Sequence, residues 1–340
     1  MKVKHIFSIL ILLFLVSSCS IFKGKGDLVG ISFKYDQKAD INYGKQFYFQ
    51  VIGEYSSGKT KNISKKDGLT ISVSGAEYKN QKIKTISHPT SFMSDTISAT
   101  ATYLVEGKSF SDSITIPFNY KGNVQLTFNG KNGTNVGDGK NGGTALLFRH
   151  GKDGHNGLVG ENGQKGHDLT VYAYKKEAIY YIIVEDLTDN KTFYYKANDN
   201  TSFYKFSSIG GKGSKGGDGG NGGNGKNGEL KNGKTKKAGS GGDAGNGGNG
   251  GDGGNGGDIR VYIHPSAESF KNYIKTINYG GLPGNFGIAG KVGNAGVPLS
   301  GKPTPSNGQT GTNGVKGKNG QLGLVNLKEI TDFDPTAVGF

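Results

Sequence analysis

Between residues 27 and 120, apolar and polar positions alternate with a period of two. Phe47, Phe49 and Val51 share one face of a run, and Leu69, Ile71 and Val73 share one face of another. Ile97, Ala99, Ala101 and Tyr103 follow, then Ile114, Ile116 and Phe118. Gly, Asn, Asp and Ser separate these runs, which predicts half-buried strands joined by turns. A stretch of about 95 such residues predicts a small β-sandwich.

After residue 120 the rule changes, and glycine falls on every third position. Gly151 to Gly166, Gly210 to Gly228, Gly239 to Gly257, Gly281 to Gly296 and Gly308 to Gly323 keep this step without a miss. An earlier block, Gly130, Gly133, Gly139 and Gly142, misses once at Val136. A flexible linker has no reason to hold a period of three, whereas a left-handed extended helix with three residues per turn does. Proline is scarce and the blocks are short, so a collagen triple helix fits poorly. The alternative is a bundle within one chain, in which glycine columns let backbones touch and exchange hydrogen bonds. Gly210 to Gly228 and Gly239 to Gly257 carry a second column of almost pure glycine or other small residues, which predicts neighbours on two faces and a central place. Gly281 to Gly296 carries the apolar column Pro283, Phe286, Ala289, Val292, Ala295 and Pro298 instead, which predicts an edge.

Short connections alternate with strand-like stretches: 123–129, 168–186, 258–265 and 323–330 read as strands. Up-and-down blocks would bring all of these to one end, as a β base. The expected fold is therefore mainly β, with a β-sandwich followed by six glycine helices on a β-sheet base. In its glycine columns the chain resembles polyglycine-II bundles, as in springtail glycine-rich antifreeze proteins and the adhesin tips of some phage tail fibres. Within the first region, "FQVIGEYSSGKTKNIS" at 49–64 resembles bacterial Ig-like domains of the group 2 type, which implies a spacer or binding module.

The N-terminus adds a compartment. Lys2 and Lys4 precede the apolar run Ile6 to Val16, which is too short to span a membrane, and Val16-Ser17-Ser18-Cys19 follows. This stretch resembles a bacterial lipobox. The resemblance implies cleavage before Cys19, acylation of Cys19, and, with Ser20 in place of Asp, anchoring in the outer membrane on either its periplasmic or its extracellular face. Cys19 is the only cysteine, so no disulfide, cysteine metal site or thiol nucleophile is expected elsewhere. The resulting organisation is a signal peptide at 1–18, a tether at 19–26, an Ig-like domain at 27–120, the glycine region at 121–330 and a tail at 331–340.

Candidate chemistry is sparse. The formal net charge is +14, mostly from scattered lysines, and no nucleic-acid motif accompanies it, so nucleic acid is not an expected partner. "GELKNGKT" at 228–235 spells a phosphate loop, but glycine triplets precede it and no helix follows it in pattern. Asp243, Asp252 and Asp258 read as a solvated ridge rather than a calcium site, since hard cations want six or more clustered oxygens. His150, His155 and His167 lack metal-ligand spacing, and no cofactor, metal or enzymatic site is expected.

The one local basic cluster is Lys231, Lys234, Lys236 and Lys237. With alternating directions it meets Leu147, Phe148, Arg149 and Lys302 at the end far from the strands. These residues are the candidate binding tip of a surface adhesin or ligand-binding lipoprotein, with an anionic glycan or an envelope protein as partner. The competing reading is a structural part of an outer-membrane complex. The chain is expected to be a monomer or part of a hetero-complex.

Overall fold

The computed structural model describes residues 26–145 and 149–331. Cys19, Leu147, Phe148, the signal segment and the tail beyond residue 331 lie outside the described residues. The chain divides into two compact units, Met1–Gly122 and Asn123–Phe340, two residues beyond the expected boundary. No described helix is long and apolar enough to cross a membrane.

The first unit contains eight strands: β1 (Leu28–Tyr35), β2 (Gln46–Tyr55), β3 (Thr60–Asn62), β4 (Leu69–Ser74), β5 (Ala76–Lys79), β6 (Lys82–Thr85), β7 (Thr96–Val105) and β8 (Lys108–Pro117). One sheet runs β1-β2-β6-β5 with β3 on β2, and a second runs β4-β7-β8. Alternation sets the inward faces: Phe47, Phe49 and Val51 of β2 are buried, as are Ile97, Ala99, Ala101 and Tyr103 of β7. Ile31 and Val51 from the first sheet and Ala101 and Tyr103 from the second join Ile63 in one apolar cluster.

The second unit holds β9 (Gly122–Thr127, entering from the first unit), β10 (Leu169–Lys176), β11 (Ile179–Asp186), β12 (Lys191–Ala197), β13 (Thr201–Ser207), β14 (Glu229–Lys231), β15 (Lys234–Lys236), β16 (Ile259–Ile263), β17 (Ile274–Ile277) and β18 (Val325–Glu329). Between them run six glycine-triplet segments: segment 1 at 130–145, segment 2 at 151–168, segment 3 at 208–228, segment 4 at 239–258, segment 5 at 278–298 and segment 6 at 307–324.

The expected six-helix polyglycine-II bundle is corrected here. The one helix among the described residues is the 3-10 helix Pro265–Tyr273, and the glycine segments carry neither helix nor strand. The physical reason lies in where their N–H groups go. The glycine N–H groups that bond within the array donate between segments. Gly151, Gly154, Gly157, Gly160, Gly163 and Gly166 of segment 2 donate to Ser240, Asp243, Asn246, Asn249, Asp252 and Asn255 of segment 4, so these two run parallel. Gly242, Gly245, Gly248, Gly251 and Gly254 of segment 4 donate to Gly223, Gly220, Gly217, Ser214 and Gly211 of segment 3, so those two run antiparallel. The period of three specifies extended segments bonded laterally, with each column serving a different neighbour.

The bonds arrange the segments in two parallel rows, 1-3-5 and 2-4-6, with antiparallel bonds crossing between the rows. Segment 3 is bonded to segments 1, 2, 4 and 5, and segment 4 to segments 2, 3, 5 and 6. A Cβ on Gly245 would fall 2.0 Å from the His155 carbonyl oxygen, which is why glycine is required at such close approaches.

The third column is chemically active in the fold. Asn246 Oδ1 accepts from Thr312 N at 2.8 Å, Asn249 Oδ1 from Val315 N at 2.8 Å and Asp252 Oδ1 from Lys318 N at 2.7 Å. Segment 3 treats segment 5 likewise through Asp218, Asn221, Asn224 and Asn227. The asparagines of these columns are exposed, as a solvated ridge would be, and the aspartates half-buried, and both bind parallel neighbours together.

Both rows continue into sheets. Segments 2, 4 and 6 lead into β10, β16 and β18, which pair in parallel with Leu169 opposite Ile259 and Ile259 opposite Val325; β11 and β12 complete that sheet. Segments 1, 3 and 5 are preceded by β9, β13 and β17, which form a second sheet. The expected base is thus two sheets, and it includes β12, β13 and β17, which the strand reading omitted. The 3-10 helix links β16 to β17 across them. His264 Nδ1 accepts from Ser266 N at its start, and buried Phe270 sits between the rings of Tyr180 (5.3 Å) and Tyr204 (5.7 Å). Val171, Ala173, Ile182, Tyr195, Leu126, Phe206, Val261 and Ile263 complete this core.

Candidate functional site

Three connections lie at the array end opposite the sheets. The one between segments 3 and 4 is a hairpin of β14 and β15. Asn232 (φ 51) and Gly233 (φ 66) are both left-handed at its turn, the pair that a two-residue type I′ hairpin requires. Lys231 stands opposite Lys234, and Glu229 opposite Lys236, so these four share a face, while Leu230 and Thr235 take the other. Lys231, Lys234, Lys236 and Lys237 are all exposed. The phosphate-loop spelling at 228–235 is this hairpin, with no helix to follow it.

Arg149 has a different role from the lysines. Its Nε donates to the Lys237 carbonyl, its Nη2 to the Asn227 carbonyl, and its Nη1 lies 3.4 Å from Glu229 Oε1. The guanidinium therefore braces the start of segment 2 against both ends of the hairpin. Lys226, with Arg149 and Lys236, holds the Glu229 carboxyl below its ordinary pKa. Lys302 is exposed in a turn closed by its own N–H on the Leu299 carbonyl at 3.0 Å. The fold thus brings Arg149 to the lysine hairpin and puts Lys302 on the third connection at the same end. Cys19, Leu147 and Phe148 lie outside the described residues.

The histidines separate. His150 and His155 line a cleft at the distal end of segments 1 and 2, together with Lys140 and Lys152. His167 stands at the sheet end, its Nδ1 2.7 Å from Asp186 Oδ2, and with Asp189 it forms a group whose ligand atoms lie within 4.8 Å of one another. Buried Asp186 also accepts from Thr188 N and Asp189 N through Oδ1, and Asp189 is paired with Lys191 at 3.0 Å. These bonds tie the end of segment 2 to the β11–β12 turn. Asp243, Asp252 and Asp258 each accept through Oδ1 from a backbone N–H of segment 6, spaced along the row rather than converging on a cation.

Sequence reasoning missed the cleft beside Lys140 and Lys152. The signals were His150 and His155, singled out in the sequence, and two lysines at the distal ends of segments that pair antiparallel.

Comparison with protein-family models, with curated proteins and with solved structures finds no match to this chain.

Proposed function

We propose that this chain is a non-enzymatic, lipid-anchored envelope protein whose cross-bonded segments hold a basic end out toward an anionic partner, a glycan or an envelope protein. The observation that carries the reading is the hairpin: four exposed lysines at the end opposite the sheets, with the adjacent arginine consumed as a brace. Loops held on a stiff scaffold are a common way to build a recognition surface. Lateral bonds at nearly every triplet supply the stiffness. Acylation at Cys19, proposed from the lipobox-like stretch, would supply the anchor, in the outer membrane. The test replaces Lys231, Lys234, Lys236 and Lys237 together with Ser and measures binding to envelope fractions at low and high salt. The wild type should bind and weaken with salt; unchanged binding with unchanged salt dependence in the variant removes the hairpin as the site.

A second reading, a structural part of an outer-membrane complex, is favoured by one feature. All five residues of β18 are exposed, and it pairs only with β16 among the described strands, leaving an open edge to which another chain could add a strand. Co-purification of a stoichiometric envelope protein that is lost on substitution of Asn326 and Lys328 by Pro would favour this reading.

A further inference from the structure

Both rows stop at segments 5 and 6, and the chemistry of the columns changes there. Within a row, one column of N–H groups donates to the next segment, and the Asn or Asp just before each donor accepts an N–H in return. Segment 3 does this with Gly219 and Gly222 as donors and Asp218 and Asn221 as acceptors. Segment 4 does it with Gly247 and Gly250 as donors and Asn246 and Asn249 as acceptors. In segments 5 and 6 the same two columns face a place where no described segment stands.

Neither column keeps its character at that face. The donor column of segment 5 is Pro283, Phe286, Ala289, Val292, Ala295 and Pro298, with no glycine in it. Pro283 and Pro298 have no N–H to give. The N–H groups of Ala289 and Ala295 are taken by side chains of segment 6, Asn313 Oδ1 at 2.8 Å and Asn307 Oδ1 at 2.7 Å. In the acceptor column, Ile288, Lys291 and Val297 of segment 5 and Val315 and Lys318 of segment 6 stand where Asn and Asp predominate in segments 3 and 4. A seventh glycine segment, from a second copy or from another chain, would meet side chains where backbones must touch and would lose most of its bonding partners.

The replacements point to a different occupant. Leu282, Phe286, Ile288, Val297, Val315 and Leu322 are all exposed. From Leu282 to Val297 is roughly 45 Å at 3.1 Å per residue. Lys291, Lys316 and Lys318 are exposed among them. No Asp, Glu or Arg occurs between Asn278 and Leu324, whereas each of segments 1 to 4 carries at least one acid. Extended exposed apolar surface marks a place of contact. Protein interfaces are enriched in arginine and depleted in lysine, the reverse of this face. Apolar side chains set among lysines, with no acid, suit the boundary of an anionic bilayer, where the apolar groups enter the headgroup layer and the ammoniums meet lipid phosphate.

We propose that the outer face of segments 5 and 6 lies on an anionic lipid surface. The segments then run along the bilayer, and the hairpin at their end reaches over the envelope surface. The proposal goes beyond the hairpin reading and uses none of its residues.

The chain has no tryptophan, so Phe286→Trp places a single reporter on this face, and Leu158→Trp places one on segment 2, the first of its row. Each full-length variant is mixed with vesicles of phosphatidylcholine alone or of phosphatidylcholine with phosphatidylglycerol, with brominated acyl chains that quench a tryptophan at the headgroup boundary. On the phosphatidylglycerol vesicles the Phe286→Trp reporter should shift to the blue and be quenched about twofold or more. Quenching should be weaker on phosphatidylcholine alone and at high salt, and the Leu158→Trp reporter should change little. Adding Lys291→Ser, Lys316→Ser and Lys318→Ser should remove most of the quenching. Adding Ile288→Asn and Val315→Asn instead should also remove it, and these place in the column the residue that segments 3 and 4 carry there. Unfolding curves that match the parent reporter will show that each variant is folded. No quenching of the Phe286→Trp reporter, equal quenching of both reporters, or quenching that survives both sets of substitutions each overturns the assignment. A blue shift with soluble envelope proteins and none with vesicles also overturns it, in favour of an acidic protein partner.

Discussion

Gly250→Ala adds one methyl group where two segments touch. The new Cβ would lie 2.2 Å from the Gly284 carbonyl oxygen and 2.7 Å from that of Asn285, both on segment 5. A carbon and an oxygen in contact sit at roughly 3.3–3.6 Å, so segment 5 must retreat by about 1 Å. The flanking bonds Gly284 N to Gly251 O and Gly287 N to Gly248 O, both 2.8 Å, would then stretch beyond the hydrogen-bonding range. Losing two such bonds costs about 1 kcal/mol each, and strain in a close-packed array adds about 1–3 kcal/mol. The total is roughly 3–5 kcal/mol, or a fall in Tm of about 10 °C for a unit of this size. Gly137→Ala is the control. Its Cβ would meet only Leu158 Cδ1, at 3.9 Å, so the variant should match or slightly exceed the wild type by restricting the unfolded chain. Thermal unfolding followed by circular dichroism distinguishes them. Equal melting temperatures for the two variants, or a Gly250→Ala protein as stable as the wild type, would refute the lateral-contact reasoning.

Other outcomes follow from the same geometry. Asn246→Ala removes the acceptor of Thr312 N and should cost about 1 kcal/mol in denaturant titration, whereas Asn246→Asp, which keeps an oxygen there, should cost less. The Lys215 ammonium first, and then the Ile288 N–H, hold the Asp218 carboxyl below its ordinary pKa. Its contribution is therefore present above the unfolded value of about 4 and lost as pH falls through the lower folded value. Stability measured from pH 5 downward should fall less steeply in Asp218→Asn, which keeps the Ile288 acceptor. Cys19→Ala should release the protein from membranes in a flotation gradient; continued flotation would rule out the proposed anchor.

Much of the fold was legible because backbone contact leaves a chemical trace. A position that must lie about 2 Å inside where a Cβ would sit is nearly always glycine, with Ala244 and Ser214 the small residues that interrupt two such columns, and the column recurs whenever the same face meets the same neighbour. Which neighbour it meets is not written locally. Gly241 and Gly242 are both glycine, yet the first donates along its row to Ser306 and the second between rows to Gly223. For the same reason the word helix was wrong for these blocks: period three fixes where side chains point, while the hydrogen bonds leave the segment. The Asn/Asp columns read as solvated because their partners, Thr312 and Val315 among them, lie 66 residues away. Arg149 read as a binding cation for the same reason, since its acceptors Asn227 and Lys237 are 78 and 88 residues on. β12 and β13 were missed although "KTFYYKA" and "TSFYKFS" alternate as plainly as the strands that were found.

The central claim is that the glycine segments are a cross-bonded scaffold and not linkers. Amide hydrogen exchange on the intact protein tests it most directly, because protection measures the free energy of opening each bond. The account predicts that Gly242 to Gly257 and Gly211 to Gly223 exchange as slowly as the amides of β10 and β16, with the exposed hairpin turn at Asn232–Gly233 exchanging fast. Complete exchange of the glycine segments within the dead time, while β10 and β16 stay protected, would contradict it.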